Sequence, residues 1–275
     1  MMFRNGESIS RATATDRSLL YGDGVFTTIA ISKGQPLLFQ KHLNRLTNDC
    51  QRLKIDNLSI EDIKSQFFSA IANVERGIVR VTISRSSGGR GYLCNNAEPV
   101  IWVSVNDWPT HIDSYRQSGI NCRICQQLIH PNPSLAGIKH CNRLEQVLAR
   151  NEWHDDQFQE GLMIDPDGNV IEGTMSNLFL IKDQQIFTPD LAFAGVDGII
   201  RKAIIDIAKR LRIPLIISNI SVQDLLAADA LFVTNSVIGI WRINKLNEQP
   251  YNNHPMINTL ENELGKLELH EKQHL

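Results

Sequence analysis

Long apolar runs are missing from this sequence: no stretch of its 275 residues approaches the roughly 18 consecutive apolar side chains that a membrane-spanning helix needs. An excess of charge of one sign is missing too. Lys and Arg number 28 against 30 Asp and Glu, a net charge of -2. The basic residues are spread along the chain, so no concentrated field points to nucleic acid or an anionic membrane. Cysteine is sparse and odd in number, at Cys50, Cys94, Cys122, Cys125 and Cys141, which argues against a disulfide framework. Cys122 and Cys125 have the spacing of half a metal or redox site, yet no second ligand pair accompanies them in a strand-like stretch, so no metal is expected. The N-terminus, Met1-Met2-Phe3-Arg4-Asn5-Gly6-Glu7, turns polar at once. The expectation is a cytoplasmic protein whose partner is a small molecule.

What is present begins with 42% hydrophobic residues, enough for one large core or two modest ones. Residues 19–39 alternate around Gly22, Asp23 and Gly24 and then Lys33-Gly34-Gln35-Pro36, which predicts strands joined by turns. Leu43, Leu46, Cys50 and Leu53 recur at helical spacing and turn His42, Arg45, Asp49 and Arg52 toward the other faces. Ser59 and Asp62 resemble a capping box opening a second amphipathic helix, with Ile60, Ile63, Phe67, Ile71 and Val74 as its buried stripe. Strands near 78–84 and 99–106 complete an α+β domain over residues 1–125. In His130-Pro131-Asn132-Pro133-Ser134 each proline removes a donor and restricts the residue before it, which places an interdomain connection at 126–135. A second domain follows over 136–275. It contains a helix marked by Leu144, Val147 and Leu148, a turn at Asp165-Pro166-Asp167-Gly168, and a helix near 198–211. Strands near 214–220 and 230–235 and a polar C-terminal helix complete it.

Five short segments carry the chemistry: Tyr21-Gly-Asp-Gly-Val-Phe26, His42-Leu-Asn-Arg-Leu46, the stretch from Leu135 to Glu145 around Lys139, Glu172-Gly-Thr-Met-Ser-Asn-Leu-Phe179, and Gly195-Val-Asp-Gly-Ile-Ile-Arg201. Each is weak alone. In this order they resemble the fold-type IV pyridoxal-phosphate family, which includes branched-chain aminotransferases, D-amino-acid transaminases and aminodeoxychorismate lyases. The run from Ser84 to Tyr92, taken with the Lys139 segment, is most similar to the lyase branch. The resemblance implies a two-domain α+β fold, pyridoxal 5'-phosphate as cofactor and a homodimer.

The resemblance also implies roles for particular residues. On spacing alone Lys139 reads as a surface lysine and Glu172 as an exposed glutamate after a hairpin turn. Within the family pattern, Lys139 holds the cofactor and acts as general base, and the small or apolar residues Leu135, Ala136, Gly137 and Ile138 desolvate its amine. Glu172 matches the carboxylate that faces the pyridine nitrogen. Arg45 matches the phosphate-binding arginine, the backbone of Ile199 and Ile200 opens a helix toward an anion, and Ser236 stands near a third phosphate contact. Arg90 and Tyr92 match a pair that grips a substrate carboxylate, and the glycine-rich run Ser87-Gly-Gly-Arg-Gly91 also reads as a plain hairpin turn. Asn142 and Arg143 are candidates for the cofactor's phenolic oxygen or the substrate. Thr28 is a further substrate candidate, and Thr27 and Thr28 stand where the aminotransferase branches usually carry a glutamate. The expected reaction is that of an aminodeoxychorismate lyase, releasing pyruvate and 4-aminobenzoate in folate biosynthesis. The alternatives are a D-amino-acid or branched-chain aminotransferase of the same fold, and a non-catalytic cofactor-binding homologue.

Overall fold

In the computed structural model, which describes residues 1–10, 14–86, 91–94, 98–154 and 156–271, two sheets organise the chain. Each belongs to one of two units: residues 1–108 and 138–142 form the first, and residues 109–137 and 143–269 the second.

The first unit runs β1 (Met2–Arg4), β2 (Glu7–Ser8), α1 (Arg17–Tyr21), β3 (Gly24–Ser32), β4 (Gln35–Pro36), α2 (Phe39–Arg52), α3 (Ile60–Ala70), β5 (Arg76–Arg85) and β6 (Pro99–Asn106). Its antiparallel sheet has the order β2-β1-β6-β5-β3-β4. Alternation along β5 sends Val79, Val81 and Ile83 into a core with Leu43, Leu46 and Cys50 of α2 and Ile63 and Phe67 of α3, and leaves Arg80 and Thr82 for the opposite face. The α3 cap forms as its sequence implies, with Ser59 Oγ accepting from the Asp62 amide at 3.1 Å.

Two expectations for this unit change. Residues 17–21 are a helix and not strand: Asp16 caps it, accepting from the Ser18 amide at 2.8 Å, and Gly22 ends it at φ 65°. The strand pattern begins only at Gly24. His42, Arg45 and Asp49 are buried, whereas Arg52 is exposed. One polar stripe of α2, His42, Arg45 and Asp49, therefore meets protein and must find partners inside, while Gln40, Asn44, Asn48 and Gln51 stay exposed.

The second unit runs α4 (His111–Ser118), β7 (Ile120–Ile124), α5 (Leu144–Arg150), β8 (Glu160–Ile164), β9 (Val170–Gly173), β10 (Asn177–Lys182), β11 (Gln185–Pro189) and α6 (Ile199–Leu211). It continues through β12 (Leu215–Ser218), α7 (Val222–Leu226), β13 (Ala230–Asn235), β14 (Gly239–Leu246), β15 (Gln249–Pro250) and α8 (Pro255–Glu271). The sheet order is β12-β11-β10-β13-β14-β7-β8-β9, with β15 on β14.

Here the expected boundary near 125 is corrected, because residues 109–125 belong to the second unit and β7 to its sheet. β7 pairs in parallel with β8 and with β14, partners that lie far later in the chain and leave no local trace. The stretch expected to connect domains is likewise bonded into the second unit: the Ile129 amide donates to Ile164 O at 3.0 Å and the Asn132 amide to Phe193 O at 2.7 Å. Residues 138–142, placed with the second domain by sequence, group with the first. α5 forms as expected, but Leu144, Val147 and Leu148 are exposed.

Candidate active site

In the first unit Lys139 lies on a short ribbon running antiparallel beside β3. Val25 and His140 stand opposite one another. The Phe26 amide donates to Lys139 O, and the Cys141 amide to Gly24 O, both at 2.9 Å. Because Val25 points into the core shared with α2 and α3, alternation puts Lys139 and Cys141 on the opposite face with Phe26. The Lys139 amide donates to Asp49 Oδ2 at 3.0 Å, which ties the ribbon to α2. The half-buried ammonium lies 4.6 Å from the centre of the Phe26 ring, and Ile138 before it is fully buried. The backbone of Lys139 is thus held on both sides.

Arg45 belongs to a buried polar chain. Its Nη2 donates to Thr27 Oγ1, and Thr27 Oγ1 lies 2.5 Å from His42 Nδ1. Burial holds the His42 pKa well below its usual 6.5, with the charges of Arg45 and Lys139 acting in the same direction. A neutral imidazole accepts the Thr27 hydroxyl proton at Nδ1, which leaves the Thr27 oxygen to Arg45 and orients the guanidinium.

In the second unit Glu172 is buried on β9, and its Oε2 accepts the Val196 amide at 2.8 Å. Gly195 precedes that amide at φ 85°, and a side chain there would come 2.8 Å from Leu191 and 3.3 Å from Glu172 Oε2. Glycine therefore allows the loop to approach the carboxylate. The turn after β9 is fixed by Glu160, whose carboxylate accepts from the Thr174 amide at 3.0 Å, the Thr174 hydroxyl at 2.6 Å and the Ser176 hydroxyl at 2.6 Å.

The loop ends at Gly198, the N-cap of α6, which provides no side-chain cap to the first amides of the helix. Asn177 holds the approach by donating to Val196 O at 2.8 Å. Thr234 stands opposite Asn177 across the β10–β13 pair. It is fully buried, and its hydroxyl has no hydrogen-bond partner among the described residues. Ser236 follows, half-buried in the turn after β13. The α6 amides, which have no side-chain cap, are donors of the kind that suits a phosphate, and the Thr234 and Ser236 hydroxyls at the end of β13 are further candidates. The buried Glu172 carboxylate fits the protonated nitrogen of a pyridine ring.

The remaining expected residues are placed as follows. Thr28 is half-buried on β3, opposite Arg80. Tyr92 is 87% exposed, with its ring edge on Tyr21 at 5.5 Å. Asn142 is exposed and donates to Gly22 O at 3.3 Å, while half-buried Arg143 directly precedes α5. Arg90 lies outside the described residues. Sequence reasoning missed Thr27, His42 and Asp49 as supports and Asn177 and Thr234 beside α6. Asn177 lies inside a recognised motif and Thr234 stands two residues before Ser236, but only the structure shows that both are buried and that Asn177 holds the loop before α6.

The class IV aminotransferase family model matches residues 24–246, and the chain belongs to that family. Its members work with pyridoxal phosphate. The chain is 34% identical to an aminodeoxychorismate lyase of Vibrio harveyi, over 87% of this chain and 89% of that one. It superposes on the crystal structure of the 4-amino-4-deoxychorismate lyase of Pseudomonas aeruginosa with a TM-score of 0.92 and 35% identity, covering 97% and 98% of the two chains. The branched-chain amino acid aminotransferase of Escherichia coli shares the fold, with a TM-score of 0.86, 22% identity and coverage of 97% and 94%.

Proposed function

We propose that the protein is a lyase that converts 4-amino-4-deoxychorismate into pyruvate and 4-aminobenzoate, a folate precursor. The observation that carries this reading is the near full-length likeness to the Vibrio and Pseudomonas lyases. Thr27 and Thr28 on β3, where the aminotransferase branches usually carry a glutamate, support it. We also propose that the protein works in the cytoplasm as a homodimer.

Pyridoxal phosphate, when bound, supplies an aldehyde for an amine and a ring that takes up electrons. Lys139 would hold that aldehyde through Nζ, and in turnover Nζ takes the proton from the carbon bearing the substrate's amine. Its fixed backbone presents Nζ from one position, so little orientation has to be found during the reaction. Glu172, anchored by the Val196 amide, would keep the ring nitrogen protonated. Arg45, the Ile199 and Ile200 amides, Ser236 and the Thr234 hydroxyl would bind the phosphate. Thr28, Tyr92, Asn142 and Arg143, with Arg90 assigned on sequence, would contact the substrate. Loss of the enolpyruvyl group leaves an aromatic ring, which supplies much of the driving force.

An aminotransferase acting on D- or branched-chain amino acids would use the same cofactor residues and differs in needing a keto acid acceptor. The test supplies aminodeoxychorismate, formed from chorismate and glutamine by an aminodeoxychorismate-forming enzyme, with no keto acid added. Pyruvate and 4-aminobenzoate should appear in equal amounts, and Lys139→Ala should form neither. Fast amino transfer from D-alanine or leucine to 2-oxoglutarate without any 4-aminobenzoate would move the protein to the aminotransferase branch.

A further inference from the structure

In the second sheet the ladder between β10 and β13 runs as far as the pair Asn177 and Thr234, and there the two backbones part. On one side lies the turn 174–176, which leads back to Glu172 on β9. On the other, β13 ends at Asn235 and enters the turn that carries Ser236. These turns adjoin the residues assigned to opposite ends of the cofactor, Glu172 to the pyridine nitrogen and Ser236 to the phosphate.

The Asn235 side chain spans the gap. Its Nδ2 donates to Met175 O at 3.1 Å, where the backbone bonds of the ladder have stopped. Its Oδ1 accepts the Val237 amide at 2.9 Å and the Ile238 amide at 3.0 Å. One half of the carboxamide thus holds the Ser236 turn, and the other half holds the turn beside Glu172.

Each turn also has supports of its own. Glu160, buried on β8, gathers the first around its carboxylate, which takes the Met175 amide at 3.3 Å as well as the Thr174 and Ser176 groups already described. Gly173 makes this possible, because a side chain there would come 2.4 Å from Ser176 Oγ and 2.8 Å from Glu160 Oε2. The second turn is held from α4, where Arg116 donates from Nε and Nη2 to Ile238 O at 3.2 and 3.0 Å. Removing the Asn235 donor therefore breaks the link between two turns that each remain supported.

We propose that Asn235 is a positioning residue for the cofactor, fixing the span between Glu172 at the pyridine end and Ser236 at the phosphate end. This rests on the roles proposed above for those two residues. Pyridoxal phosphate joins its ring nitrogen and its phosphate through a rigid ring, so a site built from two turns binds it best when their separation is set beforehand. Asn235 acts through the turns, and the proton transfer remains with Lys139.

The experiment titrates the full chain with three probes. Pyridoxal phosphate must reach both turns, pyridoxal only the one beside Glu172, and inorganic phosphate only the one with Ser236. Asn235→Ser removes the donor to Met175 and keeps a short hydroxyl that can accept from the turn amides. It is neutral, so it does not repel the phosphate. The variant should weaken pyridoxal phosphate by about three- to tenfold, the range of one net hydrogen bond. Pyridoxal and inorganic phosphate should change much less, because neither has to match the span. Asn235→Thr, made alongside, keeps the same acceptor and should behave alike. Unchanged affinity for pyridoxal phosphate in the folded variants would overturn the bridge. So would an equal loss for pyridoxal, which is general damage, or for inorganic phosphate, which confines Asn235 to the Ser236 turn. Failure of the underlying reading looks different: Ser236→Ala with wild-type affinity for pyridoxal phosphate would remove Ser236 from the cofactor site, and the bridge with it.

Discussion

At His42 the first unit buries an imidazole beside Arg45 and Lys139, and a pH dependence of stability follows. Its folded-state pKa lies well below the unfolded value of 6.5, first because of burial and then because of those two charges. Above about pH 6.5 both states hold it neutral, so nothing is lost there. As the pH falls below that, the unfolded chain takes up a proton that the folded chain refuses. Stability then drops by up to about 1.4 kcal/mol per pH unit until the folded pKa is reached. Urea unfolding of the wild type between pH 7 and 5 should therefore show a steeper loss than His42→Gln, which has no proton to gain. Equal slopes would mean that the imidazole is not held neutral. The motif around Arg45 was readable in the sequence, but the partners of the guanidinium were not. Thr27 comes from β3, and nothing in the sequence shows that its hydroxyl links Arg45 to His42 of the same motif.

Among the elements, α6 provides the sharpest test of the phosphate assignment, because its donors are backbone amides and no change of side chain removes them. Proline at the first helical position does. Gly198 before it has φ -67° and ψ 147°, a conformation that a following proline allows, and proline is tolerated at the start of a helix where its missing N–H is unpaired anyway. Ile199→Pro should weaken binding of pyridoxal phosphate roughly tenfold, in keeping with one charge-assisted hydrogen bond, and should leave the affinity for pyridoxal, which lacks the phosphate, much less changed. Equal losses for the two ligands would point to general damage. Helices α2, α3 and α6 were readable because an apolar stripe repeats over several turns. α1, with five residues, is too short to show a period, and its leucines passed for strand.

For the whole molecule, exposed apolar residues are the informative feature. Leu144, Val147 and Leu148 lie one turn apart on α5, and Leu19 and Leu20 are exposed on α1. Apolar side chains grouped in this way mark surfaces that another protein covers. In the homodimer reading that protein is a second copy, so light scattering should give twice the 31.1 kDa of one chain. Leu148→Glu places a charge at a position that the folded monomer leaves open, and it should shift the population toward monomer without lowering the helix content. A wild type that remains monomeric at every concentration would refute the dimer.

Sequence alone determined the order of the five motifs, which single out Lys139, Glu172 and Arg45 as candidates, together with the long helices and most of the central strands. These are written locally, as residue identity and as apolar repeats within one element. Tertiary structure alone decided that His42, Arg45 and Asp49 of α2 are buried, that β7 joins the second sheet and that the Lys139 ribbon groups with the first unit. It also brought Arg80 and Lys139 onto one aromatic ring, that of Phe26. An apolar stripe reports the face that must be buried and is silent about what covers the other. Strand pairing joins residues far apart in the chain through backbone groups that every sequence shares. For Arg80 the consequence is direct: along β5 it is one polar residue among alternating positions, and it gains a neighbourhood only when β3, β6 and the ribbon are set beside it.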